Sequence, residues 1–237
     1  MKERIKGHIA FLFTFIALVW VFPFKSVAQE YKYEFGAALG PTFYLGDANK
    51  TKFFQKPGIG GGIFYRQNIN FHWAVKGSLL GGTISGNSAD NGYIFPHGNQ
   101  ASFSRFFVDL GGQIEFNFFP YSDKFSYVNA KPYTPYIFTG VGGTFATGNK
   151  LFLNVNVPIG IGFKYKLRNR LNVGAEFSLR KLFGDDFDVT EKDAEWSLNA
   201  PYGIKSNFLK NQDWYSVTML YITWDFGLRH DPCCGQR

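Results

Sequence analysis

Along the segment "VNVPIGIGFKYKL", Val155, Val157, Ile159, Ile161, Phe163, Tyr165 and Leu167 take every odd position. Asn156, Pro158, Gly160, Gly162, Lys164 and Lys166 fill the even ones. A period of two sends the first set to one face of an extended strand and the second to the other. The same alternation carries Leu171, Val173, Ala175, Phe177 and Leu179 against Asn172, Gly174, Glu176, Ser178 and Arg180. It carries Phe106, Val108, Leu110, Ile114, Phe116 and Phe118 against Asp109, Gln113, Glu115 and Asn117. Strands of soluble proteins usually run about five or six residues, and these are roughly twice as long. A strand of that length, apolar along one whole face, matches a tilted crossing of a hydrocarbon layer.

Reading the chain in this way gives eight strands, at 32–45, 58–68, 71–84, 104–119, 134–146, 155–168, 170–184 and 214–227. The fifth, "TPYIFTGVGGTFAT", is too rich in glycine for its faces to be assigned. Connections alternate in length. Turns at Asn68–Asn70, 120–133 and Leu167–Arg170 alternate with the longer or more polar loops 46–57, 85–103, 147–154 and 185–213. That asymmetry belongs to outer-membrane barrels. The expected fold is all-β: an eight-stranded antiparallel up-and-down transmembrane β-barrel of the outer membrane, of the small OmpA/OmpX-like size. An even strand number puts both termini on the periplasmic side.

The N-terminus agrees with export. Lys2, Arg4 and Lys6 precede the apolar run "IAFLFTFIALVWVFPF", and Ser26-Val27-Ala28 places small residues before a cut ahead of Gln29. This is the layout of a secretory signal peptide. The expected organisation is a signal peptide at 1–28, a barrel at 29–228 and a periplasmic tail at 229–237. The whole chain carries +7 and the signal segment +3, leaving +4, and no Lys/Arg-rich run points to nucleic acid. After residue 28 no apolar stretch is long enough for a transmembrane helix.

The inward face would carry Glu34, Arg66, Lys76, Asp109, Glu115, Lys164, Lys166, Glu176, Arg180 and Asp225. In an eight-stranded barrel the interior is just wide enough for side chains, so mixed charges pair and fill it rather than line a pore. Tyr31, Tyr33, Phe71, Trp73, Trp214, Trp224 and Phe226 fall near strand ends and suit interfacial girdles.

Nothing in the chain specifies catalysis. His72, His97 and His230 lie in three distant regions, and only His97 falls in an outer loop near serines, with no further member of a triad beside it. Asp185, Asp186, Asp188, Glu191 and Asp193 lack the spacing and glycine of an EF-hand loop. "GIGGG" at 58–62 lacks the GK[ST] ending of a phosphate loop. The expectation is no catalytic residue, no metal site and no cofactor.

In order, "YEFGAALGPTFYLGDANK", "ASFSRFFVDLGGQIEFNFFPYSDK", "YKLRNRLNVGAEFSLRKLFGDDFDVT" and "PYGIKSNFLKNQDWYSVTMLYITWDFG" span nearly all of the mature chain. Together they resemble the PorG family, outer-membrane components of the Bacteroidetes type IX secretion system. The resemblance implies a non-enzymatic subunit that joins a periplasmic ring built from a PorK-like lipoprotein and a PorN-like protein. It places the chain among machinery that exports proteins and that gliding bacteria share. Stand-alone porin or adhesin action, or a lipid-modifying enzyme using His97, are the alternatives.

From the topology, the candidate periplasmic contacts are Tyr121, Asp123, Lys124 and Lys131 in the 120–133 turn, and Arg229 and His230 in the tail. Cys233 and Cys234 are the only cysteines. The periplasm is oxidising, and adjacent cysteines bridge each other only with strain, so a bond to a partner such as the PorK-like lipoprotein is expected. A vicinal disulfide or a free pair is the other outcome.

Overall fold

The computed structural model describes residues 31–45, 56–87, 102–122, 129–147, 152–168, 170–183 and 213–228. Eight strands follow one another: β1 (Tyr31–Leu45), β2 (Gly58–Asn68), β3 (Trp73–Asn87), β4 (Ser102–Asn117), β5 (Tyr133–Ala146), β6 (Phe152–Arg168), β7 (Leu171–Leu182) and β8 (Trp214–Leu228). Each pairs antiparallel with the next, and β8 returns to β1 to close the barrel. Closure removes both sheet edges, so the backbone groups of every strand find partners. Tyr31 pairs with Leu228, so the chain enters and leaves the barrel at one end. The β2–β3, β4–β5 and β6–β7 connections lie at that same end, called here the turn end; the opposite end is the loop end.

Strand boundaries differ from the sequence reading by a few residues, most clearly at β3. Asn70 Oδ1 accepts hydrogen bonds from the backbone N–H groups of His72 (2.9 Å) and Trp73 (2.7 Å). That side-chain turn holds residues 70–72 out of the ladder, so β3 begins at Trp73 rather than residue 71. Phe71, expected in an interfacial girdle, is buried there instead, as is Tyr31.

The outside of the barrel is carbon. Leu39, Ile59, Leu110, Val141, Leu153 and Leu220 are each more than 60% exposed. From Leu153 to Phe163 the outward residues of β6 span roughly 25 Å along the axis, at ~3.3 Å per residue and about 40° of tilt, the height of a membrane barrel's apolar band. Exposed Tyr65, Trp73, Phe118, Tyr133, Tyr165 and Trp224 surround the turn end. Tyr33 packs on Tyr65 and Phe226, and Trp73 on Phe116. This is an aromatic girdle. Among the described residues no helix is long and apolar enough to cross a membrane; strands make the crossing.

Candidate functional site

The interior is built in layers, and each comes from the inward parity of several strands. Nearest the turn end, Glu34 on β1 faces Arg66 on β2, which faces Lys76 on β3. The Arg66 guanidinium is the hub. Its Nη1 donates to Glu34 Oε2 at 2.7 Å, its Nε lies 2.9 and 3.0 Å from the two Glu115 oxygens, and Nη2 donates to Glu176 Oε1 at 3.4 Å. Lys76 Nζ reaches both Glu176 oxygens at 2.5 and 2.6 Å, and Lys164 Nζ reaches Glu115 at 3.2 Å. Lys166 pairs with Asp225 at 2.6 Å, and Asn172 donates to the other Asp225 oxygen.

The rings of Phe64, Tyr136 and Tyr221 surround Arg66, with centroids 5.1, 5.8 and 5.3 Å from its guanidinium carbon. Tyr136 OH also donates to Glu176 at 2.5 Å. These large rings fit because glycines face them from neighbouring strands. A Cβ on Gly162 would come within 2.4 Å of Tyr136 Cζ, and one on Gly174 within 2.3 Å of Tyr221 Cζ. Glycine opposite an inward aromatic relieves the crowding of a narrow barrel.

A second layer is centred on the carboxylate of Asp109. Arg180 pairs with Oδ1, while Thr144 (2.9 Å), Tyr215 (2.8 Å) and Asn156 (2.5 Å) all donate to Oδ2. Towards the loop end the interior turns apolar, with Tyr44, Leu80, Ile84, Phe103, Phe107 and Leu182 in one buried cluster. Tyr44 OH donates to Asp213 at 2.9 Å. Between the polar layers a cavity of about 10 Å³, bordered by Lys76, Gln113, Ser178 and Met219, has room for about one water.

The turn end is closed from below. The described ends of the β4–β5 connection, 118–122 and 129–132, pair with each other and with the β2–β3 turn, through Lys131 N–H to Pro120 O (2.8 Å), Ser122 N–H to Lys131 O (3.1 Å) and Tyr121 N–H to Phe71 O (3.3 Å). Tyr121 is thereby fully buried, its ring 5.2 and 5.0 Å from the ammonium groups of Lys164 and Lys166. Burial drives its phenol pKa well above the ordinary tyrosine value.

Every charge expected on the inward face therefore lies inside, with Lys166 and Glu176 the least deeply covered. Five cations, Arg66, Lys76, Lys164, Lys166 and Arg180, meet five carboxylates, Glu34, Asp109, Glu115, Glu176 and Asp225. Tyr121 is corrected: a side chain with no exposed surface plugs the barrel and cannot serve as a contact. Lys131 is half-buried, its Nζ 4.3 Å from the Phe119 ring centroid. Asp123, Lys124, Arg229, His230, Cys233, Cys234, His97 and the signal segment lie outside the described residues. His72 lies in the β2–β3 turn, its Nδ1 2.8 Å from the Asn117 carbonyl. Among the described residues no cluster of His, Cys, Asp or Glu is arranged to hold a metal. The interior aromatics Tyr136, Tyr215 and Tyr221, and Thr144 beside Asp109, carry no mark in the sequence analysis. Tyr215 and Tyr221 share the odd parity of Asp225 on β8, which is the one signal that could have marked them.

A closed barrel with carbon outside and paired charges inside is a transmembrane β-barrel, and this one has a packed core where a porin has a channel. The chain belongs to the family described as a domain of unknown function, DUF6089, whose profile matches residues 11–236. No curated protein matches the sequence. Among solved structures it is similar to Ail, the attachment invasion locus protein of Yersinia pestis, at 11% identity and a TM-score of 0.46, covering 84% of this chain and 100% of that one. It is similar to Neisserial surface protein A at 10% identity and a TM-score of 0.46, covering 82% and 97% of the two chains. The N-terminal β-barrel domain of Pseudomonas aeruginosa OprF matches at 12% identity and a TM-score of 0.42, covering 84% and 100%.

Proposed function

We propose that this chain is a non-enzymatic outer-membrane subunit of a type IX protein secretion system, which anchors the machine's periplasmic ring to the membrane. The observation that carries the reading is the occupied interior. Ion pairs, stacked rings and the Tyr121 plug leave no route for a solute or an exported protein, so the barrel's work falls to its ends and its lipid-facing wall. The β1 start and the β8 end share the turn end with the three short connections, so a tail after Leu228 leaves from there. In this reading that end faces the periplasm, and Lys131 lies at it. The resemblance to the PorG family supplies the partners: a PorK-like lipoprotein and a PorN-like ring protein.

Affinity capture of the full chain from gently solubilised outer membranes tests the reading. Co-recovery of the two ring proteins supports it, and recovery of the barrel alone overturns it. Ion conductance of the purified barrel in planar bilayers would instead favour a stand-alone porin.

A further inference from the structure

The lipid-facing wall is not evenly filled. Two adjacent rungs of outward side chains cross β4 to β7. One runs Phe116, Ile137, Ile161 and Phe177, and the next runs Ile114, Thr139, Ile159 and Leu179. Thr139 is the smallest of these, and Gly160 lies beside it on β6, so a groove of about 550 Å³ opens between the Ile and Phe ridges. Ligand pockets run from about 300 to 1,000 Å³. The groove opens directly onto the apolar outer face, where Ile114, Ile159 and Ile161 are more than half exposed. Whatever fills it is immersed in hydrocarbon.

Among the described residues, one cation stands on the same face at the turn-end side of the groove. Lys131 stands at the foot of β5, its Nζ 4.3 Å from the Phe119 centroid and 5.7 Å from that of Tyr133. Among the described residues it meets rings and no carboxylate. An ammonium held on aromatic rings at the girdle is a typical interfacial anchor, with its charge left for a headgroup. Along β5, the seven or so residues from Lys131 to the groove cover roughly 18 Å of barrel axis, at ~3.3 Å each and about 40° of tilt. One leaflet with its headgroups is about 20–22 Å deep. The cation and the groove are thus separated as the phosphate and the acyl chain of one lipid are.

We propose that this face of the barrel binds a single anionic phospholipid of the turn-end leaflet, its phosphate at Lys131 and one acyl chain in the groove over Thr139. A second copy of the chain fits less well, because Lys131 would then face no acidic partner among the described residues of the same face. The inference rests on the barrel's being transmembrane and is independent of any role in secretion.

The test uses the purified full chain, delipidated in detergent and titrated with palmitoyl-oleoyl phosphatidylglycerol or its phosphatidylcholine counterpart, with native mass spectrometry as the readout. The expected result is one bound phosphatidylglycerol per barrel, held at least about fivefold more tightly than phosphatidylcholine. Thr139→Trp, which fills the groove, should weaken both lipids about tenfold. Lys131→Gln should abolish the headgroup preference while phosphatidylcholine binding stays within about twofold. Heat-dependent gel mobility checks that each variant is folded; if Thr139→Trp does not fold, Ile137→Trp narrows the same groove. No one-to-one adduct, binding indifferent to the groove-filling variant, or a barrel dimer broken by it would each overturn the proposal. Displacement by inorganic phosphate alone would also overturn it, because it would leave the acyl chain without a role.

Discussion

Arg66 on β2 and Glu115 on β4 meet inside the barrel at 2.9 Å, although β3 runs between their strands. The contact exists because the barrel is narrow enough for a guanidinium to reach across its neighbour, and it joins three carboxylates through one side chain. A buried ion pair adds little against an apolar substitute of equal shape, but a buried charge left alone is costly.

Arg66→Met should therefore destabilise the barrel by about 3–5 kcal/mol, because Glu34 and Glu115 stay buried without their main partner. Adding Glu34→Gln and Glu115→Gln should recover much of that loss. Urea titrations of folding into lipid vesicles measure both. A single variant as stable as the parent would mean that the interior is wet enough to solvate the carboxylates.

The filled interior predicts electrical silence. In planar bilayers the parent barrel should produce no conductance steps. Tyr121→Gly should remain silent too, since the Arg66 layer and the Asp109 layer still block the path behind it. Steps in the Tyr121→Gly variant alone would show that the plug is the only barrier.

A charge on the outer face distinguishes a lipid-facing wall from a wetted one. Ile161 is 61% exposed near the middle of β6. Replacing an exposed isoleucine of a soluble protein costs little, but Ile161→Arg here should cost about 2–4 kcal/mol of folding free energy in vesicles. Leu153→Arg, nearer the loop end, should cost less by the same depth rule.

Gly162 supports the interior from the opposite side. Its missing Cβ is what lets Tyr136 lie flat enough to reach Glu176 at 2.5 Å. Gly162→Ala should destabilise by about 1–3 kcal/mol, as overpacked cores do. Pairing it with Tyr136→Phe should recover only part of the loss, since removing the hydroxyl, 2.6 Å from the added Cβ, leaves the ring carbons Cζ and Cε1 at 2.4 and 2.7 Å. Thermal loss of heat-modifiable mobility ranks the three proteins.

The same packing decides how much of the fold is legible in the amino-acid sequence. In β6 from Leu153, and in β4 from Val108, one parity is apolar and the other polar, glycine or proline, so the outward face follows directly from the pattern. In β5 both parities carry aromatics. Tyr136 and Phe138 point inward while Ile137 and Phe145 point outward, and what admits the inward pair is glycine on β6. That complementarity is between strands, so it has no trace in β5 alone. The loop-end interior hides for a related reason: Leu80, Ile84, Phe103 and Phe107 make both faces apolar there. Parity put Arg66 and Glu115 on one face, but it could not pair residues 49 positions apart. Tyr121 lies in a turn, where parity has no meaning.

The cysteines give the most direct test of attachment. β8 ends at Leu228, at the turn end, five residues before Cys233. Those residues can reach about 17 Å beyond the barrel if extended. A bridge between Cys233 and Cys234 themselves is strained, because adjacent Cα atoms lie only about 3.8 Å apart, below the usual disulfide range. In the proposed orientation the tail lies in an oxidising compartment, and with no other cysteine in the sequence a second protein is the unstrained partner that this proposal requires. On a non-reducing gel of outer membranes, the protein should run as a heterodimer with a lipoprotein of the periplasmic ring and return to monomer with reductant. The Cys233→Ser, Cys234→Ser double variant should show no heterodimer, while its heat-modifiable mobility stays that of a folded barrel. A band of unchanged mobility with and without reductant would mean that the tail is not covalently attached, and that any grip on the ring is made by the turn end alone.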